Sequence, residues 1–310
     1  MKIFTVPANE NWVCDRFAQE WISNNLDIST DNIENCDILW LLAGWRWNHI
    51  PERILRNKKV VLTVHHIVPE KFDENKMNEF RFRDQFVDVY HVPCTKTKDQ
   101  VCQLTNKPIE IIPFWANQNI WYPISSKNEL RKKTGIDENC FLIGSFQRDT
   151  EGHDLKSPKL EKGPDIFCDV VESLFLHNKN IKVLLAGWRR QYVINRLEKA
   201  GIPYYYFELP SFEELNKLYN CLDLYLVTSR YEGGPQSIIE CALSKTPIVS
   251  TDVGIAKDIL SEKSMLRNGN NPVPDTDYAF KKIQELKIPA GFCKFNKMFS
   301  TLLKECEKLT

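Results

Sequence analysis

Short apolar runs alternate along the chain with longer segments in which apolar residues recur at helical spacing. In the first part, apolar runs cover residues 2–6, 37–43, 59–64, 87–92 and 109–113, with helical segments at 12–21 and 50–55. Short runs rich in β-branched residues predict buried strands, and their alternation with helices is typical of a parallel sheet. The first part is therefore predicted to be a Rossmann-like α/β domain.

The same alternation restarts in the second part. Strands are predicted at residues 140–145, 182–186, 224–227 and 247–250, and helices at 126–134, 165–176, 191–200, 211–220, 278–286 and 294–309. The aromatic, proline-containing residues 114–123 are predicted to cross between two domains. Because nucleotide ligands bind such sheets at the carboxyl ends of the strands, we expect the site in the cleft between the domains.

The predicted strand at 224–227 leads into a turn and then a helix. Pro235 suits the first position of that helix, because its missing N–H is not needed there. Gly233 and Gly234 thus stand at a helix entrance, where free N–H groups and the helix dipole favour an anion. Glu232 and Glu240 flank this anion site. Carboxylates repel a diphosphate but accept hydrogen bonds from hydroxyls, so the pattern indicates a nucleotide sugar.

Two solvated surface glutamates are the alternative interpretation, since charged residues usually lie on the surface. The order of strand, glycine turn, helix and second strand favours the site. Residues 229–243, SRYEGGPQSIIECAL, followed by 245–254, KTPIVSTDVG, resemble the Glu-x7-Glu signature of retaining GT-B glycosyltransferases of family 4, of the glycosyl transferases group 1 type.

This resemblance implies an α/β GT-B fold, in which two Rossmann-like domains face a central cleft. It places the acceptor side in residues 1–122, the donor side in residues 123–290, and a helix that packs back on the first domain in residues 291–310. The implied reaction moves a sugar from a UDP- or GDP-sugar to a saccharide, lipid-linked or protein acceptor. It proceeds with retention at the anomeric carbon and requires no metal or other cofactor.

The resemblance also assigns roles to individual residues. Glu232 would hold the hydroxyls of the donor sugar and Glu240 the ribose, while Arg148 and Lys162 would bind the diphosphate. Fixed cations of this kind can neutralise a leaving diphosphate, and solvated surface charges are the alternative. The remaining donor contacts would come from Gly233, Gly234, Pro235, Gln236 and Ser237.

In the first domain, His65 follows a predicted strand in the sequence Thr-Val-His-His, which is similar to the family's Thr-Val-His-Asp. The resemblance gives His65 a catalytic role in holding the donor sugar or the acceptor, and a hydrogen-bonded histidine at a strand end is the alternative. Residues 7–12 replace a Gly-Gly pair that many relatives carry. The candidates for the acceptor side there are Asn9, Glu10, Asn11 and Trp12, and an asparagine at either position also suits a helix cap.

Composition narrows the choice of partners. The formal net charge of zero gives no support to a nucleic-acid partner. No apolar run approaches the roughly 20 residues of a membrane span, so we expect a cytoplasmic location. Peripheral membrane contact through residues 53–59 stays open, although a charged helix end in water accounts for the same residues. The ten cysteines lack paired or zinc-ligand spacing, and Asp275-Thr-Asp277 is predicted to cap a helix rather than bind a metal.

Two other functions stay open at this point. A nucleotide-sugar epimerase of the same fold and a non-catalytic nucleotide-sugar-binding or scaffold protein would share these features, because a fold alone does not prove activity. An NAD-dependent oxidoreductase is disfavoured, because no G-x-G-x-x-G follows the first predicted strand.

Overall fold

The computed structural model describes residues 1–10, 13–267 and 269–307. The chain divides into two compact units, residues 1–115 together with 289–310, and residues 116–288. The sequence predicts boundaries after residues 122 and 290, whereas these two units divide after residues 115 and 288. Each unit contains one sheet covered by helices.

Both sheets have five strands, and every neighbouring pair of strands is parallel. The strands of the first unit are β1 (Ile3–Thr5), β2 (Ile38–Leu41), β3 (Lys59–Thr63), β4 (Val89–Val92) and β5 (Ile109–Ile111). Those of the second unit are β6 (Phe141–Ser145), β7 (Ile181–Ala186), β8 (Tyr204–Phe207), β9 (Leu224–Val227) and β10 (Ile248–Ser250).

The two sheets differ in strand order. The first follows the chain, β1-β2-β3-β4-β5, whereas the second runs β10-β9-β6-β7-β8. In the second sheet the chain adds β7 and β8 on one side of β6 and then crosses to add β9 and β10 on the other side. The order of strands thus reverses between β6 and β9, which pair through Ile143 and Leu224. Such a reversal is a topological switch point, where the connecting loops diverge and leave a crevice at the carboxyl ends of the strands. The second unit has this crevice between β6 and β9.

Helices connect most of the strands. They are α1 (Val13–Asn24), α2 (Glu52–Asn57), α3 (Glu74–Asp84), α4 (Thr95–Val101), α5 (Lys127–Thr134), α6 (Pro164–His177), α7 (Gln191–Ala200), α8 (Phe212–Cys221), α9 (Gln236–Ser244), α10 (Ala256–Ile259), α11 (Thr276–Lys282) and α12 (Cys293–Glu307). Helix α11 begins after Asp275, whose carboxylate accepts a hydrogen bond from the N–H of Tyr278 at 3.1 Å. The prediction that Asp275-Thr-Asp277 caps a helix is confirmed.

The first sheet buries different side chains on its two faces. Alternate residues such as Leu39, Val60 and Leu62 pack into an aliphatic cluster on one face. On the other face, Trp40 of β2 packs against Phe295 and Phe299 of α12, with ring centroids 5.4 and 5.3 Å apart. Side chains of a strand point alternately to opposite faces, so a continuous apolar run produces two buried faces. The C-terminal helix therefore completes the core of the first unit.

The second sheet is likewise buried on both faces. On one face, Val183 and Leu185 of β7 pack with Phe167 of α6 and Leu197 of α7 in an apolar cluster. Strand β8, which the hydrophobic pattern does not predict, lies at the edge of this sheet, and its residues are only partly buried. Burial concentrates the core around β6, β7 and β9, so the switch point lies between two strands of a rigid sheet.

Candidate functional site

The turn between β9 and α9 has the arrangement that the sequence predicts, with one shift. Strand β9 ends at Val227, and α9 begins at Gln236. Pro235 is the residue before the helix, with φ −60° and ψ 111°, and not its first helical residue. A cap residue normally has extended backbone, and proline satisfies that requirement as readily as it satisfies the first helical position.

Gly233 in this turn lies directly against Gly254 in the loop after β10. A Cβ atom placed on Gly254 would lie 2.1 Å from the carbonyl oxygen of Gly233, and Gly254 has φ +52°. Both the space and the left-handed backbone therefore require glycine at 254. This contact fixes the turn against the neighbouring strand and explains why the predicted motif continues as far as residue 254.

Hydrogen bonds join the carboxyl ends of three adjacent strands around the switch point. Gln147, after β6, donates from Nε2 to the carbonyl of Lys162 at 2.7 Å and accepts from Ser229 Oγ at 3.2 Å. Thr251, after β10, donates from Oγ1 to the carbonyl of Ser229 at 2.6 Å. Ser229 is 1% exposed, so the centre of this network is shielded from water, while Gln147 and Thr251 are partly buried. It ties Lys162 to the strand ends.

The segment that carries Lys162 docks closely on β9. Gly163 has φ +61°, and a Cβ there would lie 1.9 Å from the carbonyl oxygen of Thr228. Thr228 in turn donates from Oγ1 to the carbonyl of Gly163 at 2.8 Å. The next residue after Gly163 begins helix α6. Lys162 is therefore held in place by the hydrogen bond to its own carbonyl and by the docking of Gly163, and not carried on a loose loop.

Glu232 and Lys162 form an ion pair in this arrangement. Lys162 Nζ lies 2.5 Å from Glu232 Oε1, and the side chains are 18% and 12% exposed. Ser229 Oγ lies 3.3 Å from the same carboxylate oxygen. Two residues that are 70 positions apart in sequence thus meet at the carboxyl end of β9.

Glu240 lies in the second turn of α9 and is 7% exposed. The hydroxyl of Tyr219, from α8, donates to Glu240 Oε2 at 2.8 Å. Burial, followed by the nearby Glu240 carboxylate, raises the pKa of Tyr219 well above its ordinary value, so the phenol remains a donor. No sequence pattern marks Tyr219 as a site residue, because in α8 it follows the apolar spacing of an ordinary core residue.

Arg148 lies just after β6, next to Gln147, and its Nε donates to the carbonyl of Thr150 at 2.8 Å. The following residue, Asp149, is buried and accepts from Arg190 Nε at 2.9 Å. Burial raises the pKa of Asp149, while the Arg190 guanidinium opposes that effect. This buried pair anchors the start of the loop that carries Arg148.

The other predicted donor contacts lie along the turn and the first turn of α9. Gly233 and Pro235 are buried, while Gly234, Gln236 and Ser237 are partly buried. Gln236 Nε2 donates to the carbonyl of Gly234 at 3.4 Å. The second unit thus brings Glu232, Lys162 and the entrance of α9 together at its switch point, with Glu240 on the same helix and Arg148 after the adjacent strand.

His65 belongs to the first unit, after β3. Its Nε2 lies 3.0 Å from the carbonyl oxygen of Leu42, and its ring stacks on Phe114 with centroids 5.5 Å apart. Of the predicted acceptor residues, Asn9 and Glu10 donate their N–H groups to the Asp15 carboxylate at 2.9 and 2.7 Å. Asn11 and Trp12 lie outside the described residues.

Within the described ranges, no three His, Cys, Asp or Glu side chains gather in the geometry of a metal site. The helices among those residues also include none that is both long and apolar enough to span a membrane.

Comparison with known proteins identifies relatives for part of the chain. The family model described as "Glycosyl transferases group 1" matches residues 155–286, which include Lys162, Glu232 and Glu240. The lipopolysaccharide core biosynthesis mannosyltransferase LpsB of Rhizobium meliloti is 22% identical over 172 residues. That match covers 53% of this chain and 46% of LpsB, so it spans about half the length of the relative.

Solved structures resemble the chain over nearly its full length. HepE of Anabaena, solved in complex with UDP, has a TM-score of 0.73 at 13% identity, covering 97% of this chain and all (100%) of HepE. Sucrose-phosphate synthase of Thermosynechococcus elongatus has a TM-score of 0.68 at 14% identity, covering 94% of this chain and 78% of the enzyme. WaaG, a glycosyltransferase of lipopolysaccharide biosynthesis, has a TM-score of 0.65 at 12% identity, covering 96% and 98% of the two chains.

These likenesses confirm the predicted fold class. The chain has the α/β architecture of GT-B proteins, with two parallel sheets and their helices. The match to the glycosyl transferases group 1 model falls within the second unit.

Proposed function

We propose that the chain is a retaining glycosyltransferase whose nucleotide-sugar donor binds at the switch point of the second unit. The observation that carries the proposal is the contact of Lys162 with Glu232 at the entrance of α9. In a nucleotide sugar, one bond joins the anionic diphosphate to a ring bearing hydroxyls. A cation beside a carboxylate is complementary to that junction, because the cation binds phosphate and the carboxylate accepts from hydroxyls.

In this proposal, donor binding separates Lys162 from Glu232, and each side chain then contacts the donor. Lys162 and Arg148 bind the diphosphate, and Glu232 accepts hydrogen bonds from the sugar hydroxyls. The N–H groups at the start of α9, behind Gly233 and Gly234, add the positive end of a helix dipole. Glu240, held by Tyr219, accepts from the ribose. Its place on a rigid helix favours a fixed position for the nucleoside.

The proposed reaction takes place on one face of the sugar. The bond between the anomeric carbon and the diphosphate oxygen breaks, and the acceptor hydroxyl oxygen forms a new bond to that carbon from the same side. The hydroxyl proton passes to an oxygen of the leaving phosphate, so no covalent enzyme nucleophile is needed. Lys162 and Arg148 stabilise the charge that develops on the leaving group, a role that fixed cations can fill without a metal.

The donor base and the role of the first unit complete the proposal. HepE was solved with UDP and with UDP-glucose, which supports a UDP-sugar over a GDP-sugar for this chain. His65 is proposed to contact the acceptor or the donor sugar. Its ring orientation is set by the Leu42 carbonyl and by the stacked Phe114 ring, so it can present a defined face.

A thermal-shift screen of UDP, UDP-sugars, GDP-sugars and free nucleotides tests donor binding. A ligand that binds the folded chain alone raises its stability by about 2.7 kcal/mol at a concentration 100 times its Kd. We expect a shift with a UDP-sugar, which Glu240→Gln reduces. Tyr219→Phe is expected to weaken donor binding about tenfold, because it removes a hydrogen bond that fixes the Glu240 carboxylate.

The chain offers a matched control for Tyr219→Phe. Tyr204 donates to Glu198 at 2.9 Å in the same unit, but both lie toward the surface, away from the switch point. Tyr204→Phe should leave donor binding unchanged. Absence of any nucleotide shift from folded wild-type protein would overturn the donor site. Donor binding without transfer to any acceptor points to a scaffold protein, and interconversion of donor sugars without an acceptor points to an epimerase.

A further inference from the structure

A cavity of about 370 Å³ lies within the first unit at the carboxyl end of β3. Strand β3 and the loop after it form one wall, and helix α3 forms another. A volume of this size fits one or two sugar rings and falls within the range of small-molecule sites. The lining residues that matter for its chemistry are Trp45, Lys71, Lys76, Glu79, Phe80 and Arg83.

Helix α3 turns one face toward this cavity. Lys76, Glu79, Phe80 and Arg83 are spaced three and four residues apart, so they lie on the same side of the helix. Lys76 Nζ pairs with Glu79 Oε2 at 2.9 Å. The neighbouring Lys71 adds a further positive charge, so the lining contains three cationic side chains and one carboxylate. The cavity therefore carries a net positive charge.

Arg83 is the most enclosed of these cations. Its Nε is buried and has no hydrogen-bond partner among the described residues, and its guanidinium lies 4.9 Å from the centre of the Phe80 ring. Burial lowers the pKa of Arg83, while a contact with Tyr90 and the nearby Glu79 carboxylate oppose that effect in part. A charge that is withdrawn from water interacts more strongly with an anionic ligand than a surface charge does. An anion in the cavity would supply the solvation that burial removes.

The remaining lining is apolar, with one exposed aromatic ring. Leu62, Val64 and Phe72 line the cavity beside the charged residues. Trp45 is 45% exposed, and its Nε1 donates to Glu10 Oε1 at 3.1 Å, which holds the indole in place. The apolar faces of sugar rings pack well on fixed aromatic surfaces, whose bodies are apolar and whose polar edge is already bonded. The lining thus combines a surface for a sugar with cations for an anion.

We propose that this cavity binds the acceptor, and that the acceptor is a saccharide carrying a negatively charged group, either a carboxylate or a phosphate. The sugar ring contacts Trp45 and the apolar wall, and the anionic group contacts Lys71 and Arg83. This inference rests on the proposed function, because only a glycosyltransferase has an acceptor. The preference of the cavity for an anionic sugar is a binding property that can be measured without the donor.

Calorimetric titration of the full chain with three probes tests this preference. The probes are methyl glucoside, methyl glucuronide and glucose 6-phosphate, which share a ring and differ in charge. We expect at least one anionic probe to bind about tenfold or more tightly than the neutral one, with the two anionic probes separating carboxylate from phosphate. Lys71→Gln and Arg83→Gln should each weaken that binding about tenfold.

Arg81→Gln is the matched control, because Arg81 is an exposed arginine of the same helix that does not line the cavity. It should leave binding unchanged. Lys71 is also exposed, so Lys71→Gln keeps the test decisive if Arg83→Gln lowers the melting temperature. Equal affinity for charged and neutral probes, or no anionic binding at about 10 mM, would overturn the proposal. A UDP shift measured on the same samples reports the donor site separately.

Discussion

A buried chain of hydrogen bonds fixes the protonation state of His91 in β4. Trp40 Nε1 donates to Thr63 Oγ1 at 3.0 Å, and Thr63 Oγ1 lies 3.0 Å from His91 Nδ1. His91 Nε2 lies 2.7 Å from the carbonyl oxygen of Ile112. Since a carbonyl can only accept, Nε2 carries the proton, and Nδ1 accepts from the Thr63 hydroxyl. Trp40 Nε1, Thr63 Oγ1 and both ring nitrogens of His91 therefore all have a partner when His91 is neutral.

This arrangement predicts a loss of stability in acid. Burial lowers the pKa of His91 to about 3, whereas an unfolded histidine titrates near 6.5. Between these two pH values the unfolded state binds a proton that the folded state does not, and this proton binding favours unfolding. The contribution of neutral His91 to stability is therefore fully present only above about pH 6.5. The stability of the folded state should fall by up to about 1.4 kcal/mol per pH unit as the pH decreases below that value. Urea unfolding at a series of pH values measures this slope.

His91→Gln should reduce the slope between about pH 5 and 6.5, whatever it does to the stability at neutral pH. His177→Gln, at an exposed histidine in the last turn of α6, should retain it. An identical slope in wild type and His91→Gln would show that His91 is not the group that titrates.

At the residue scale, candidate site residues can be predicted from the sequence only where they belong to one short segment with a recognisable spacing. Glu232 and Glu240 share one turn and helix, so their spacing was visible. Gln147, Ser229 and Tyr219 reach the site through contacts between distant segments, and their residue types are common in turns and helices. The contact of Lys162 with Glu232 was not expected either, because it depends on how the segment before α6 docks on β9.

At the scale of elements, the docking of Gly163 on β9 predicts a sharp sensitivity to a single methyl group. Gly163→Ala places a Cβ against the Thr228 carbonyl at 1.9 Å and imposes left-handed backbone strain. We expect it to destabilise the chain by more than about 3 kcal/mol or to displace the segment that holds Lys162. Chemical denaturation and donor titration measure the two effects.

Gly135 and Gly201 provide controls of the same kind. Both have positive φ, +71° and +65°, and a Cβ on either would meet no atom within 4 Å. Gly135→Ala and Gly201→Ala should therefore cost about 1 kcal/mol from backbone strain alone and leave donor affinity intact. If Gly163→Ala behaved like these two variants, the close approach to Thr228 would not constrain the site.

The elements themselves were predictable where hydrophobic runs were long. The apolar strands at the centre of each sheet were identified, whereas β8, which is partly buried at an edge and begins with three tyrosines, was missed. Helix α3 was missed as well, because its sequence is polar and only Phe80 of it is buried. The strand order cannot be predicted from the hydrophobic pattern. That pattern shows where each strand lies in the sequence but not which strands pair.

At the scale of the molecule, the first unit is assembled from both ends of the described chain. Trp21 of α1 and Trp40 of β2 meet Phe295 and Phe299 of α12 on one face of the sheet. Phe295 is 0% exposed. Phe295→Ala should cost about 3–5 kcal/mol, because it leaves a cavity among rings that cannot collapse easily. Phe82→Ala, at a ring that is 47% exposed, should cost far less.

Deletion of residues 289–310 tests whether the first unit needs α12 to complete its core. The first unit should then bind a hydrophobic dye and lose near-ultraviolet dichroism, because the Trp40 face is left uncovered. The second unit contains residues 116–288 without interruption and should keep its nucleotide shift. A truncated chain with native dichroism would mean that α12 contributes little to the core.

The same division sets an order of events on the ribosome. Residues 1–115 of the first unit emerge before the second unit but without α12, which follows the whole second unit in the chain. Translation proceeds at roughly 5–20 residues per second. The face of the first sheet that carries Trp40 therefore stays uncovered for about 10–40 seconds while the second unit is translated and can fold. Nascent first units would therefore spend that interval with indole rings exposed to chaperones or to one another, until α12 is translated and covers them.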